Sequence, residues 1–71
     1  MSANFLRKRI ELKFENIKQY TSLLLERYEF VRDENDVVIL HLRKIILDCT
    51  NHLNALNLEL LKETRHFSTK N

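Results

Sequence analysis

The sequence predicts an all-α fold, an antiparallel two-helix hairpin of the coiled-coil kind that further chains complete into a bundle, on three observations. Ile39, Ile46, Leu53, Leu60 and Phe67 recur at every seventh residue with Leu42, Cys49 and Leu56 between them, which is the seam of a helix that packs against another helix. Glycine and proline are both absent, so the residues that most often break helices and shape turns between strands are missing. One polar run, Arg32-Asp33-Glu34-Asn35-Asp36, divides the chain into arms of similar length.

The first arm follows a short lead, Met1 to Asn4, in which Ser2 or Asn4 is placed to cap the helix. Helix one is expected over about residues 4–31. Leu6, Ile10, Phe14, Ile17, Leu24, Tyr28 and Val31 fall on one helical stripe, with Thr21 its single polar member. Phe5, Leu12, Tyr20, Leu23, Leu25 and Phe30 fall beside or opposite that stripe, so one partner helix leaves apolar surface uncovered.

The turn belongs at residues 32–36. Asp and Asn close turns through their own side chains and tolerate left-handed backbone, and Asp33 or Asn35 is placed to accept from the first free N–H groups of a second helix. Acidic residues there also suit the positive end of its dipole. A single rod is the competing architecture, because the register of helix one carries through Val38 and Ile45 and no glycine marks the turn. Such a rod would run about 95 Å, and its best seam would slip by one residue between Val38 and Ile39. The hairpin is preferred because each of its matched arms covers the other's seam.

Helix two is expected over about residues 36–67, with only Glu63 interrupting its seam, and a polar tail is expected at 68–71. Outside the seam, Leu40, Leu47 and Leu61 share one helical position with Asn54 between them, and Leu58 sits nearby. A second apolar surface of this kind marks an interface. Leu40, Leu47, Leu58 and Leu61 are therefore the expected partner-binding residues.

A chain of 71 residues has room for one domain and buries too little surface to be comfortably stable alone. Disulfides within the chain are ruled out because Cys49 is the only cysteine, which leaves association as the stabilising route. A lone cysteine at a seam position also suits a reducing compartment. Arg7, Lys8, Arg9, Glu11 and Lys13 interrupt the early apolar residues and leave no signal-peptide or membrane-span pattern. The expectation is a protein of the cytoplasm, or otherwise intracellular.

The formal charge of +2 is too small to argue for a polyanion partner. Its distribution is more informative. In a hairpin, Arg7, Lys8, Arg9 and Lys13 share an end with Lys62, Arg65 and Lys70, opposed by Glu11, Glu59 and Glu63. The turn end carries Glu26, Glu29, Asp33, Glu34 and Asp36 against Arg27 and Arg32. Such poles set orientation against a charged partner. Arg7, Lys8 and Arg9 are also the candidate anion-binding group, the basis of an alternative reading as a homo-oligomeric nucleic-acid regulator.

Catalytic and metal chemistry find little footing. Asp48, Cys49 and His52 share a helix face, but spacing supplies no further ligand, and His41 and His66 are too far along the chain to join them. No nucleophile with its base, Gly-rich phosphate loop or paired acid and base is present, and a two-helix hairpin offers little concavity for a small substrate. No enzyme activity, cofactor or metal is expected.

The sequence is therefore read as a small helical interaction module, an adaptor, co-chaperone or assembly subunit. It docks an apolar helix face onto another helical protein, with a heteromeric partner preferred to a second copy. In size and expected architecture it resembles the small hairpin co-chaperones of type III secretion needle subunits, and that resemblance of shape implies a chaperone-like partner role.

Overall fold

The computed structural model describes residues 2–69, with side chains through residue 65. Helix α1 spans Ala3–Val31 and helix α2 spans Val37–Thr69, and the two pack against each other as a hairpin. The body measures 55 × 16 × 14 Å. A continuous rod of about 95 Å is excluded by those dimensions.

α1 starts where an N-cap is available. Ser2 is extended at φ −76° and ψ 151°, and its hydroxyl accepts from the Phe5 N–H at 3.2 Å. Asn4, the other expected cap, lies inside the helix. α1 ends at Arg32, whose N–H donates to the Tyr28 carbonyl at 3.0 Å and whose backbone is left-handed, at φ 53° and ψ 35°. Glycine normally fills this position because a Cβ crowds the following carbonyl there. Arg32→Gly is therefore expected to stabilise the hairpin by about 0.5–1 kcal/mol, checked by denaturant unfolding of the two proteins.

The turn corrects the expected cap of the second helix. Asp36, rather than Asp33 or Asn35, caps α2, its Oδ2 accepting from the Ile39 N–H at 3.2 Å. Asp33 serves the turn itself: its carboxylate accepts from the Asn35 N–H at 3.0 Å and its carbonyl from the Asp36 N–H at 3.1 Å. The turn thus closes one residue before α2, which sets Asp36 directly ahead of the helix to cap it.

The α2 seam packs inward. Ile39, Leu42, Leu53 and Leu56 are buried, and Ile46, Cys49, Leu60 and Glu63 are half-buried. Leu6, Ile10, Leu53 and Leu56 form the core at the end near the chain termini, with Ile17 and Leu60 packed against it. Leu6 and Ile39, fully buried at 0% exposure, stand near opposite ends of the hairpin. Between them Ile17, Tyr20, Thr21, Leu24, Ile45, Ile46, Cys49 and Thr50 are all only half-buried. The Thr50 hydroxyl satisfies itself by donating to the Ile46 carbonyl at 2.8 Å.

The α1 stripe departs from expectation at one residue. Leu6 and Ile10 are buried and Ile17, Leu24, Tyr28 and Val31 half-buried, but Phe14 is 56% exposed. Lys13 is half-buried in its place, as are Tyr20 and Arg27 further along. The steps Leu6, Ile10, Lys13, Ile17, Tyr20, Leu24, Arg27 and Val31 alternate four and three, which matches the heptad of α2. The aliphatic stem of lysine can cover apolar surface while its ammonium stays in water, so Phe14 is displaced to the flank. α2 also runs two residues past its expected end at Phe67, because Ser68 and Thr69 supply no helix breaker. The Phe67 side chain and residues 70–71, the end of the expected tail, lie outside the described residues.

Candidate functional site

The seam divides the remaining apolar surface into two faces. Consecutive helical residues project about 100° apart, so Leu23 and Leu24 fall on opposite flanks of α1. Leu24 lines one inter-helix groove with Arg43, Lys44, Ile46, Leu47 and Thr50. Leu23 lines the other with Glu26, Arg27, Phe30, Val38 and Leu42.

The first face belongs chiefly to α2. Leu40, Leu47, Leu58 and Leu61, the expected partner-binding residues, are all exposed, Leu47 at 58%. The second face belongs chiefly to α1 and carries Phe5, Leu12, Leu23 and Phe30, all exposed, Phe30 at 86%. The sequence placed these four beside or opposite the stripe without assigning them a surface. Their common direction was nevertheless readable, since eighteen residues make five whole turns and separate Phe5 from Leu23 and Leu12 from Phe30. Among the described residues, large apolar side chains are exposed at twelve positions and buried at six. Isolated exposed apolar residues need no explanation, but rows on both sides of a thin hairpin do.

The basic cluster does not stay together. Three consecutive helical residues fan over about 200°, and Arg7, Lys8 and Arg9 do so here. Arg7 shares a groove with Glu63 and Thr64, and Lys8 one with Glu11, Leu12 and Glu15. The Arg9 guanidinium lies over the Phe5 ring, 5.7 Å from its centroid. Each cation thus faces a different surface, two of them beside carboxylates.

Among the described residues no group of three or more His, Cys, Asp and Glu side chains gathers as a metal site. Asp48, His41 and His52 are exposed and Cys49 is a free, half-buried thiol; His66 falls beyond the described side chains.

One pair shows distinct electrostatics. Arg27 grips Asp36 with both arms of a fork, Nε to Oδ2 at 2.9 Å and Nη2 to Oδ1 at 3.0 Å. Hydrogen bonding to Arg27 holds the Asp36 carboxyl below the usual carboxylate range; partial burial opposes that shift and the Ile39 N–H assists it. The same bond raises the Arg27 pKa further. A second pair, Arg43 with Glu34 at 3.6 Å, is solvent-exposed and contributes little. The Arg27–Asp36 fork ties the end of α1 to the start of α2 and fixes the turn on which both apolar faces depend.

The fold defines the class, an all-α helical hairpin. The chain matches no family model, no curated protein and no solved structure. Among the described residues, no helix is long and apolar enough to cross a membrane.

Proposed function

We propose that this chain is a protein-binding module, an adaptor, co-chaperone or assembly subunit that docks the outer face of α2 onto a helix of another protein. The observation that carries the reading is the row of exposed Leu40, Leu47, Leu58 and Leu61 pointing away from the seam. Amphipathic helices dock onto such rows through anchors spaced along one face. The partner is assigned as a different chain because the row is not self-complementary. Leu40, Leu47, Leu58 and Leu61 are separated by seven, eleven and three residues, so the row does not read the same in both directions. A two-fold axis midway between Leu47 and Leu58 would set Leu40 against Arg65 and Leu61 against Lys44. The reading is of binding without catalysis, cofactor or metal, in a reducing intracellular compartment that suits the free Cys49.

Nucleic-acid binding has less support, because the fanned Arg7, Lys8 and Arg9 present no single basic stripe.

The test is a triple substitution, Leu40→Ser, Leu47→Ser and Leu61→Ser. Binding to the co-purified and then recombinant partner, measured by calorimetry, is expected to fall at least about 100-fold. Helicity is expected to stay close to that of the unaltered chain, because all three side chains are exposed. Unchanged affinity, or loss of helicity, would overturn the assignment.

A further inference from the structure

We infer that the opposite face, the row on α1, is the contact for a second copy of this chain, which packs antiparallel across a two-fold axis passing between Ile17 and Lys18. The argument starts from the spacing. Phe5, Leu12, Leu23 and Phe30 are separated by seven, eleven and seven residues, so the row reads the same in both directions. At about 100° per residue the four directions agree to within about 20°. They make a straight line of about 38 Å along the helix. A two-fold contact requires a patch that is its own complement, and this row meets that condition residue by residue. Phe5 comes level with Phe30 of the second copy, and Leu12 with Leu23. The α2 row, spaced by seven, eleven and three residues, does not meet it.

Charge selects the same orientation. The end of α1 that holds Phe5 carries Arg7, Lys8, Arg9 and Lys13 against Glu11 and Glu15; the end that holds Phe30 carries Glu26 and Glu29, with the turn residues Asp33, Glu34 and Asp36 beyond, against Arg27 and Arg32. Antiparallel packing sets each basic end beside an acidic one, whereas parallel packing sets like beside like. Lys8 and Glu26 lie on the same flank of the row, eighteen residues apart, and that flank meets itself across the axis, so each faces the other from the opposite copy.

The shape of the face agrees with this. The groove lined by Leu23, Phe30, Val38 and Leu42 opens beside the row near the turn. The Phe5 ring of the second copy arrives at that level, where an apolar groove can take an aromatic side chain. The axis lies level with the middle of α1, where Tyr20, whose direction falls between the seam and the row, is only half-buried. A helix laid there covers the middle of the hairpin, which its own two strands of side chains leave open, and completes an antiparallel four-helix bundle. The α2 row stays free on the outside of that bundle, so self-association and partner binding can fail independently.

The experiment uses the full chain. Sedimentation equilibrium is expected to show a dimer, and Phe5→Ser with Phe30→Ser to raise its dissociation constant at least about 100-fold with helicity retained. Leu40→Ser, Leu47→Ser and Leu61→Ser together are expected to leave the dimer intact. Orientation is read by mixing Lys8→Cys and Glu26→Cys chains, each also Cys49→Ala, and treating them with a short bis-maleimide. Links from position 8 to position 26 are expected, without 8-to-8 or 26-to-26 products. A monomer at every concentration, a dimer indifferent to the phenylalanine changes, or predominant 8-to-8 links would each overturn the inference.

Discussion

Leu6→Ala is expected to cost about 3 kcal/mol of unfolding free energy and to leave the hairpin largely unfolded at room temperature. Leu6 has no exposed surface, and with Ile10, Leu53 and Leu56 it forms the core near the chain termini. Truncation there removes buried methyl groups and leaves a cavity that two packed helices can only partly close. The consequence is large because the core is small: a chain of this size has only a few kcal/mol to lose. Leu47→Ala deletes the same atoms at a 58% exposed position and is expected to change stability by less than about 0.5 kcal/mol. Urea unfolding of the two variants, followed by circular dichroism, checks the contrast. Similar losses in both would mean that Leu47 is part of the hydrophobic core of the isolated hairpin, and the proposed docking face would be lost with that result.

The contrast between Leu6 and Leu47 also shows how far the sequence was legible. In α2 the seam repeats every seven residues with few competitors, so Ile39, Leu42, Leu53 and Leu56 could be assigned to the interior and are buried. In α1 two rows share Leu6, Ile10, Ile17, Leu24 and Val31 and differ at neighbouring positions. Hydrophobicity favours Phe14 over Lys13, yet Phe14 is the exposed one. Register against α2 decided that choice, and register is a property of the pair of helices, invisible in either alone. The turn was legible in its place but not in its bonds. Asp33, Asn35 and Asp36 are chemically similar capping candidates, and which of them caps depends on a backbone path set by the left-handed Arg32. The α2 face was readable as a row of leucines, whereas the α1 face became visible once the seam was fixed and Phe5, Leu12, Leu23 and Phe30 were left outside it.

Asp36→Ala is expected to lower the melting temperature by roughly 5 °C or more at neutral pH, and its effect should fade in acid. Asp36 does two things at once: it caps α2 through the Ile39 N–H and receives the Arg27 fork. Alanine removes both and leaves a half-buried guanidinium without its carboxylate. The pH dependence follows from the direction of the shift. Because the folded-state pKa of Asp36 lies below its ordinary value, the folded chain binds this proton less readily than the unfolded chain does. The stabilisation is therefore complete above the ordinary carboxylate pKa of about 4, and it is lost as pH falls from there through the depressed value. Thermal melts of the two proteins should differ most near pH 7 and converge as pH falls below the ordinary carboxylate range. The Arg27 side chain is 35% exposed and that of Asp36 15%, so salt should weaken the ion pair only in part, and it should leave the capping hydrogen bond in place. A difference that stayed constant across the acid range would assign the whole effect to the turn backbone and none to the charge on Asp36. The link from the turn to the two apolar faces would then run through Asp33 and Arg32 alone.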